Sequence, residues 1–443
     1  MSRPADPRVA FIEAAIWHGP LEPAEAILAA HPEVARADIH TAAILGDDGA
    51  VRRFLERNPA SVNAKSPPFG GDALNYLCLS KYLRLDPGRT PGFLRAATAL
   101  LDAGADPNTG FWKSDERETA LYGAAGVAHH PEMTRLLLER GADPNDEEVV
   151  YHSPETRDNA AMKLVVETGK VRPENLALML IRKHDWHDHE GARYLLERGV
   201  DLNLQRTRGW RPLHHALARD NALQTIELLL DHGADPRLSE DGLTAIALAA
   251  RGGRSDVLDL LERRGVPLDL TGVDRLIAAC ARGDAEEVRA IAEREPGLVA
   301  ELHRLGGELL GRFSATGNLP GVRQLLDLGV GVGTPWAEGD GYFGIPPNSL
   351  AIHVAAWCCC TDVARLLIER GSPVELPNAH GDTPLALAVR ACVDSYWTEY
   401  GSPVLVEALI RAGASAHGVP YPSGHAAVDA VLAAHRGDPS SQR

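Results

Sequence analysis

The chain has 443 residues, of which 44% are hydrophobic and 24% charged, so it can bury a large core and is not expected to be disordered. Its formal charge is −16 and it carries no Lys/Arg-rich stripe. That balance excludes nucleic acid and anionic membrane surfaces as partners, because an acidic surface repels phosphate.

The first ten residues hold Pro4, Asp6 and Pro7 and no apolar run, so no secretory leader is expected there. No stretch reaches the roughly 18 apolar residues of a membrane span. Cys78, Cys280, Cys358, Cys359, Cys360 and Cys392 follow no disulfide framework. A reducing, cytoplasmic setting is the expectation.

Two phrases then alternate along the chain. The first ends a helix and opens a turn: LLDAGADPN at 100–108, LLLERGADPN at 136–145, LLERGVDLN at 195–203, LLLDHGADPR at 228–237 and LLERRGVPLD at 260–269. Weaker copies are LLDLGVGVG at 325–333, LLIERGSPVE at 366–375 and LIRAGASAH at 409–417. The glycine takes the left-handed position past a helix end, and the Asp/Pro/Asn segment turns the chain. The second phrase starts a helix: TALYGAAG at 119–126, RPLHHALA at 211–218, TAIALAA at 244–250, AIHVAA at 351–356 and TPLALAV at 383–389. Here Thr caps, Pro suits the first turn, and small residues let helices approach. Three units end in a proline instead: ILAAHPEVA at 27–35, FLERNPASVN at 54–63 and IAEREPGLV at 291–299. AMKLVVETGK at 161–170 belongs to a less regular unit.

The helix-starting phrase resembles the ankyrin signature T-P-L-H-x-A-A, and the period of about 33 residues is that of ankyrin repeats. The resemblance implies an all-α solenoid of about twelve helix–turn–helix units with hairpin fingers. Their expected bounds are 1–39, 40–72, 73–118, 119–146, 147–171, 172–208, 209–240, 241–270, 271–302, 303–347, 348–381 and 382–420. A cap at 421–435 and a disordered tail at 436–443 complete one continuous array. In the family, fingers and first helices line a concave groove that binds partners. A protein partner held by a monomeric adaptor or inhibitor is therefore expected. A small-molecule site or unusual enzyme in the same groove is the alternative, and a purely structural role is a third.

Departures from the repeat carry the candidate site. Longer fingers are expected at 108–119, with Phe111, Trp112 and Lys113, and at 331–348, with Trp336, Tyr342 and Phe343. Longer loops between the two helices of a unit are expected at 81–91 and at 392–403, the latter with Tyr396, Trp397 and Tyr400. All seven tryptophans fall at fingers, at first-helix ends or in the loop that follows a first helix: Trp17, Trp112, Trp186, Trp210, Trp336, Trp357 and Trp397. With Tyr342, Phe343, Tyr396 and the adjoining thiol Cys358 they form the expected recognition surface, since aromatics bury much area at low entropic cost. Trp112, Trp210, Trp336 and Trp357 are expected to serve binding rather than stability.

His184, His187 and His189 sit close enough in sequence to be weak metal candidates, but solvated caps are the simpler expectation. His214 matches the signature histidine that bonds the neighbouring turn. Asp115, Glu116, Glu118, Glu338 and Asp340 read as solvated finger charges. No phosphate loop, dinucleotide fingerprint, HExxH or nucleophile elbow is present, so neither a cofactor nor catalytic residues are expected.

Overall fold

The computed structural model describes residues 6–204, 211–395 and 401–436. The chain divides into two compact units, Met1–Ala234 and Asp235–Arg443. Both are stacks of antiparallel helix pairs. Among the described residues, strands occur only as two two-stranded hairpins. Each expected repeat supplies a helix pair, for instance Ile39–Ile44 with Asp48–Arg57, Pro212–Ala218 with Leu223–Asp231, and Ala351–Trp357 with Thr361–Glu369. The cap forms a helix over Ala426–Arg436.

The recurring phrases do the physical work expected of them. Thr119, Thr244 and Thr383 cap first helices by accepting from the N–H of Tyr122, Ala247 and Ala386. Gly104, Gly141, Gly233, Gly371 and Gly413 all have φ between +84 and +98. Past four of them the chain closes identically, with Ala105, Ala142, Ala234 and Ala414 donating 3.0 Å bonds to Leu100, Leu137, Leu229 and Leu409. The terminal asparagine of the phrase stitches neighbours together. Asn108 Nδ2 donates to Gly141 O, Asn145 Nδ2 to Lys170 O and Asn203 Nδ2 to Gly233 O, at 2.9–3.1 Å. His40 and His353 place Nε2 2.7 Å from the carbonyls of Ala64 and Leu376 in the following turns.

At Gly141 and Gly233 an added Cβ meets no atom within 4 Å, so only the backbone resists substitution. Gly141→Val or Gly233→Val should therefore cost about 1–3 kcal/mol, the strain of a β-branched residue at positive φ. Urea denaturation checks this, and an unchanged midpoint would remove the strain argument.

Two expected features are corrected. The stretch 81–91 is not a loop: it forms a helix over Lys81–Leu85 and a 3₁₀ turn over Pro87–Arg89. The unit boundary expected at 302/303 falls inside the 20-residue helix Pro296–Ala315. Pro296 begins that helix rather than ending the preceding unit, because a proline's missing N–H is harmless at the first helical position. Pro32 and Pro59 likewise open short 3₁₀ turns.

Candidate functional site

In the N-terminal unit the lengthened finger is a hairpin, Gly110–Lys113 paired antiparallel with Glu116–Thr119. Phe111 faces Glu118 and Lys113 faces Glu116 across the pair, while Trp112 faces Arg117. The pleat therefore sends Phe111, Lys113, Glu116 and Glu118 to one side and Trp112 and Arg117 to the other. Trp112 is 67% exposed, whereas Phe111 and Glu118 are buried.

The inward side meets a strap from the chain's first helix, Pro7–Ala15. Beyond that helix, Trp17 N donates to Leu79 O at 2.9 Å, and Lys81 Nζ donates to Ala14 O at 2.7 Å. Arg84 reaches Gly19 O at 3.0 Å. These bonds lay the Trp17 indole against Phe69 and Phe111, edge to face, at centroid distances of 4.7 and 5.6 Å. Trp17 Nε1 donates to Glu118 Oε2 at 3.3 Å, and Lys113 Nζ stands 3.9 Å from the Trp17 ring centroid. Burial pushes the Glu118 carboxyl above the usual range, against the opposing pull of the Trp17 N–H and the Lys113 charge.

From there a run of polar contacts crosses the ends of successive first helices. The Tyr122 and His152 rings lie 5.3 Å apart. His152, on the helix Glu147–His152, places Nε2 3.2 Å from Glu148 and Nδ1 2.7 Å from Glu155. Burial alone would lower the His152 imidazole, but the Glu155 hydrogen bond and the charges of Glu155 and Glu148 raise it. Arg182, on the helix Pro173–Asp185, pairs with both Glu155 and Asp185 and lays its guanidinium 4.1 Å from the Tyr151 ring centroid. Asp185 then receives His215 at 2.8 Å and Arg219 at 2.7 Å. Burial would raise the Asp185 carboxyl, but His215, Arg219 and Arg182 hold it at about 2. Tyr151 and Trp186 stand exposed beside this chain of charges.

The expected recognition residues thus separate into groups. Trp112 and Trp186 present open aromatic surface, and Trp17 is half-buried in the strap. In the C-terminal unit Trp336 is only 3% exposed and Cys358 is buried, so neither offers a face to a partner. They pack with Ile345 and Val354, against partly buried Phe343, Trp357 and Cys360. Trp357 Nε1 donates to Phe343 O at 2.7 Å, and Tyr342 packs edge-on to Phe343. A shallow cleft of about 10 Å³ remains between Gly344, Pro346, His353, Trp357 and Leu387. Trp210, Tyr396, Trp397 and Tyr400 lie outside the described residues.

His184, His187 and His189 diverge. His184 is fully buried and its imidazole is held neutral, at about 3. His189 contacts Thr225 and Arg193, and the helix it begins is capped by Asp188. Glu118 corrects the expectation of solvated finger charges, since the pleat turns it inward under Trp17. Tyr151, His152, Glu155 and Arg182 were not singled out from the sequence, because the first three lie in the irregular unit 147–171 and Arg182 lies on a first helix without the helix-starting phrase. The period-2 alternation of Phe111, Lys113, Glu116 and Glu118 was the signal available for the finger.

Among the described residues no helix is long and apolar enough to cross a membrane. Two family models match the chain, one for three copies of ankyrin repeats over residues 178–272 and one for a single ankyrin repeat over residues 116–148. The chain is similar to inversin of Mus musculus, 28% identical over 241 residues that cover 51% of this chain and 21% of inversin. It is also similar to ankyrin repeat and SOCS box protein 16 of Homo sapiens, 30% identical over 236 residues, covering 50% of this chain and 49% of that protein. A shorter stretch of 57 residues is 49% identical to BCL-6 corepressor-like protein 1 of Homo sapiens, covering 13% of this chain and 3% of that protein. The chain therefore spans half or less of the length of these relatives.

Proposed function

Because the chain belongs to the ankyrin-repeat family and is a protein-interaction repeat protein, we propose that its N-terminal unit grips a partner protein across the face made by the finger hairpin and the first-helix ends. Trp112, Tyr151 and Trp186 are the aromatic anchors in this reading, and the Glu155–Arg182–Asp185–Arg219 chain supplies a polar ground beside Tyr151. The observation that carries it is positional. The exposed large aromatics described in this unit all stand on the finger or on first helices, the face that lines the groove in ankyrin arrays. A monomer acting in a reducing, cytoplasmic setting fits the six free cysteines.

The small-molecule alternative has less support. The cleft at Trp357 has a volume of about 10 Å³, room for a water molecule, far below the roughly 300 Å³ at which ordinary ligand sites begin.

Affinity capture followed by calorimetry with the captured partner tests the proposal. Trp112→Ala, Tyr151→Ala and Trp186→Ala should each weaken binding by about tenfold or more, as hot-spot aromatics do. Their unfolding midpoints should move little, by about 0.5 kcal/mol or less, as exposed substitutions do. Full affinity in all three variants would remove this face as the binding surface.

A further inference from the structure

The inward side of the finger hairpin holds an arrangement that packing alone does not require. Glu118 is a carboxylate only 4% exposed, yet its one side-chain partner is the Trp17 indole N–H, at a long 3.3 Å. Among the described residues no basic group lies within ion-pair distance of it. A buried carboxylate ordinarily recruits a cation or several donors. The nearest ammonium, that of Lys113, stands instead on the π-face of Trp17, 3.9 Å from the ring centroid. Lys113 is exposed and sits at the end of its strand, next to the turn residue Ser114 at positive φ. One ammonium thus rests on an aromatic face, on the side of the hairpin that also carries the buried Glu118 and the cross-strand Glu116, at an exposed finger tip. His152, whose charge also acts on Glu118, is engaged by Glu148 and Glu155, and Arg84 on the strap is committed to the carbonyls of Trp17 and Gly19.

We propose that the niche formed by Trp17, Glu116 and Glu118 is a docking site for a primary ammonium, the side chain of a lysine on the partner protein, and that Lys113 is its internal placeholder. This rests on the reading of the N-terminal unit as a protein-binding face and names the chemistry that one end of that face recognises. The Trp17 face supplies the cation–π contact, and Glu118 supplies the charge, strengthened by its burial. A partner lysine reaching over the hairpin replaces one ammonium by another on the Trp17 face and brings a positive charge to Glu118, which has no ion-pair partner of its own among the described residues. The −16 balance of the chain favours a basic partner segment over an acidic one.

The Trp17 indole N–H resonance of the full chain, labelled with ¹⁵N and identified with Trp17→Phe, reports occupancy directly. The probe is a five-residue glycine peptide with one central lysine and blocked ends. Wild type should bind it weakly, with saturable movement of that resonance. Lys113→Ala should bind it at least about threefold more tightly, because the placeholder is gone. Glu118→Gln should weaken binding by about tenfold, as should acetylation of the peptide's lysine, which removes the charge. Unchanged or weaker binding by Lys113→Ala, or equal binding of the acetylated peptide, would overturn the proposal. Spermidine binding more tightly than the lysine peptide would assign the niche to free amines and overturn the partner-lysine assignment. The Trp112, Tyr151 and Trp186 variants, read with the captured partner, test the protein-binding face separately. That face can therefore fail or survive whatever the lysine probe does.

Discussion

Trp336→Ala should cost the C-terminal unit about 3–5 kcal/mol of stability, the range for deleting a buried aromatic. The indole is seated on the helix Pro296–Ala315, which opens to receive it. A Cβ at Gly311 would stand 2.6 Å from the Trp336 ring, and one at Gly307 would stand 2.0 Å from Pro335 O. These two glycines, four residues apart, lie on one side of the helix and let the finger backbone approach. The finger is tied at both ends of the contact, with Trp336 N donating to Ser349 O at 2.9 Å and Asn348 N to Trp336 O at 2.7 Å. The Arg312 guanidinium lies over the ring, 5.0 Å from its centroid. Guanidinium denaturation followed by a probe in the C-terminal unit measures the loss. A change below about 1 kcal/mol would place Trp336 among surface side chains and return it to the recognition surface.

Trp336 also shows where reading a sequence of this kind stops. A tryptophan between glycines and prolines reads as an exposed finger residue. Whether it turns outward depends on a helix about thirty residues upstream that happens to offer glycine at 307 and 311. The helix pairs themselves were legible, because the Gly-Ala-Asp-Pro-Asn phrase encodes both the helix end and the asparagine that bonds the next turn. The boundary near 302 was not legible, since a proline can close one helix or open another with the same local sequence. On the finger at 110–119 the exposure of Trp112 was anticipated. The burial of Glu118 needed the register that pairs it with Phe111, and so did the strap that brings Trp17 onto it from about a hundred residues away.

A similar long-range dependence surrounds the buried pair Lys183–Asp188, which is bonded to Thr156 and Asn159 of the loop that carries Glu155. Lys183 is 0% exposed, and its ammonium donates to Asp188 Oδ2 at 2.8 Å and to Thr156 O. Asp188 has three tasks: it answers Lys183, it caps the helix His189–Leu196 through Gly191 N at 2.9 Å, and it receives Asn159 Nδ2 at 2.8 Å. Gly191 leaves room for this, since a Cβ there would press within 2.5–2.8 Å of Asp188, Lys183 and Asn159. Burial lowers the Lys183 ammonium and Asp188 opposes that. Removing the carboxylate therefore strands a buried cation and opens the cap at once. Asp188→Ala should destabilise by about 3–5 kcal/mol, the cost of breaking a buried pair from one side. Lys183→Met should cost far less, about 1–2 kcal/mol, because an apolar side chain of similar length fills the site and Asp188 keeps its two other donors. Urea denaturation of both variants gives the order. The asymmetry is the test, since a lost contact alone would make the two substitutions equal. If Asp188→Ala proved no worse than Lys183→Met, the buried ammonium would have to find another acceptor. The loop 153–159, which carries Glu155 to Arg182, would then owe its position to something other than this pair.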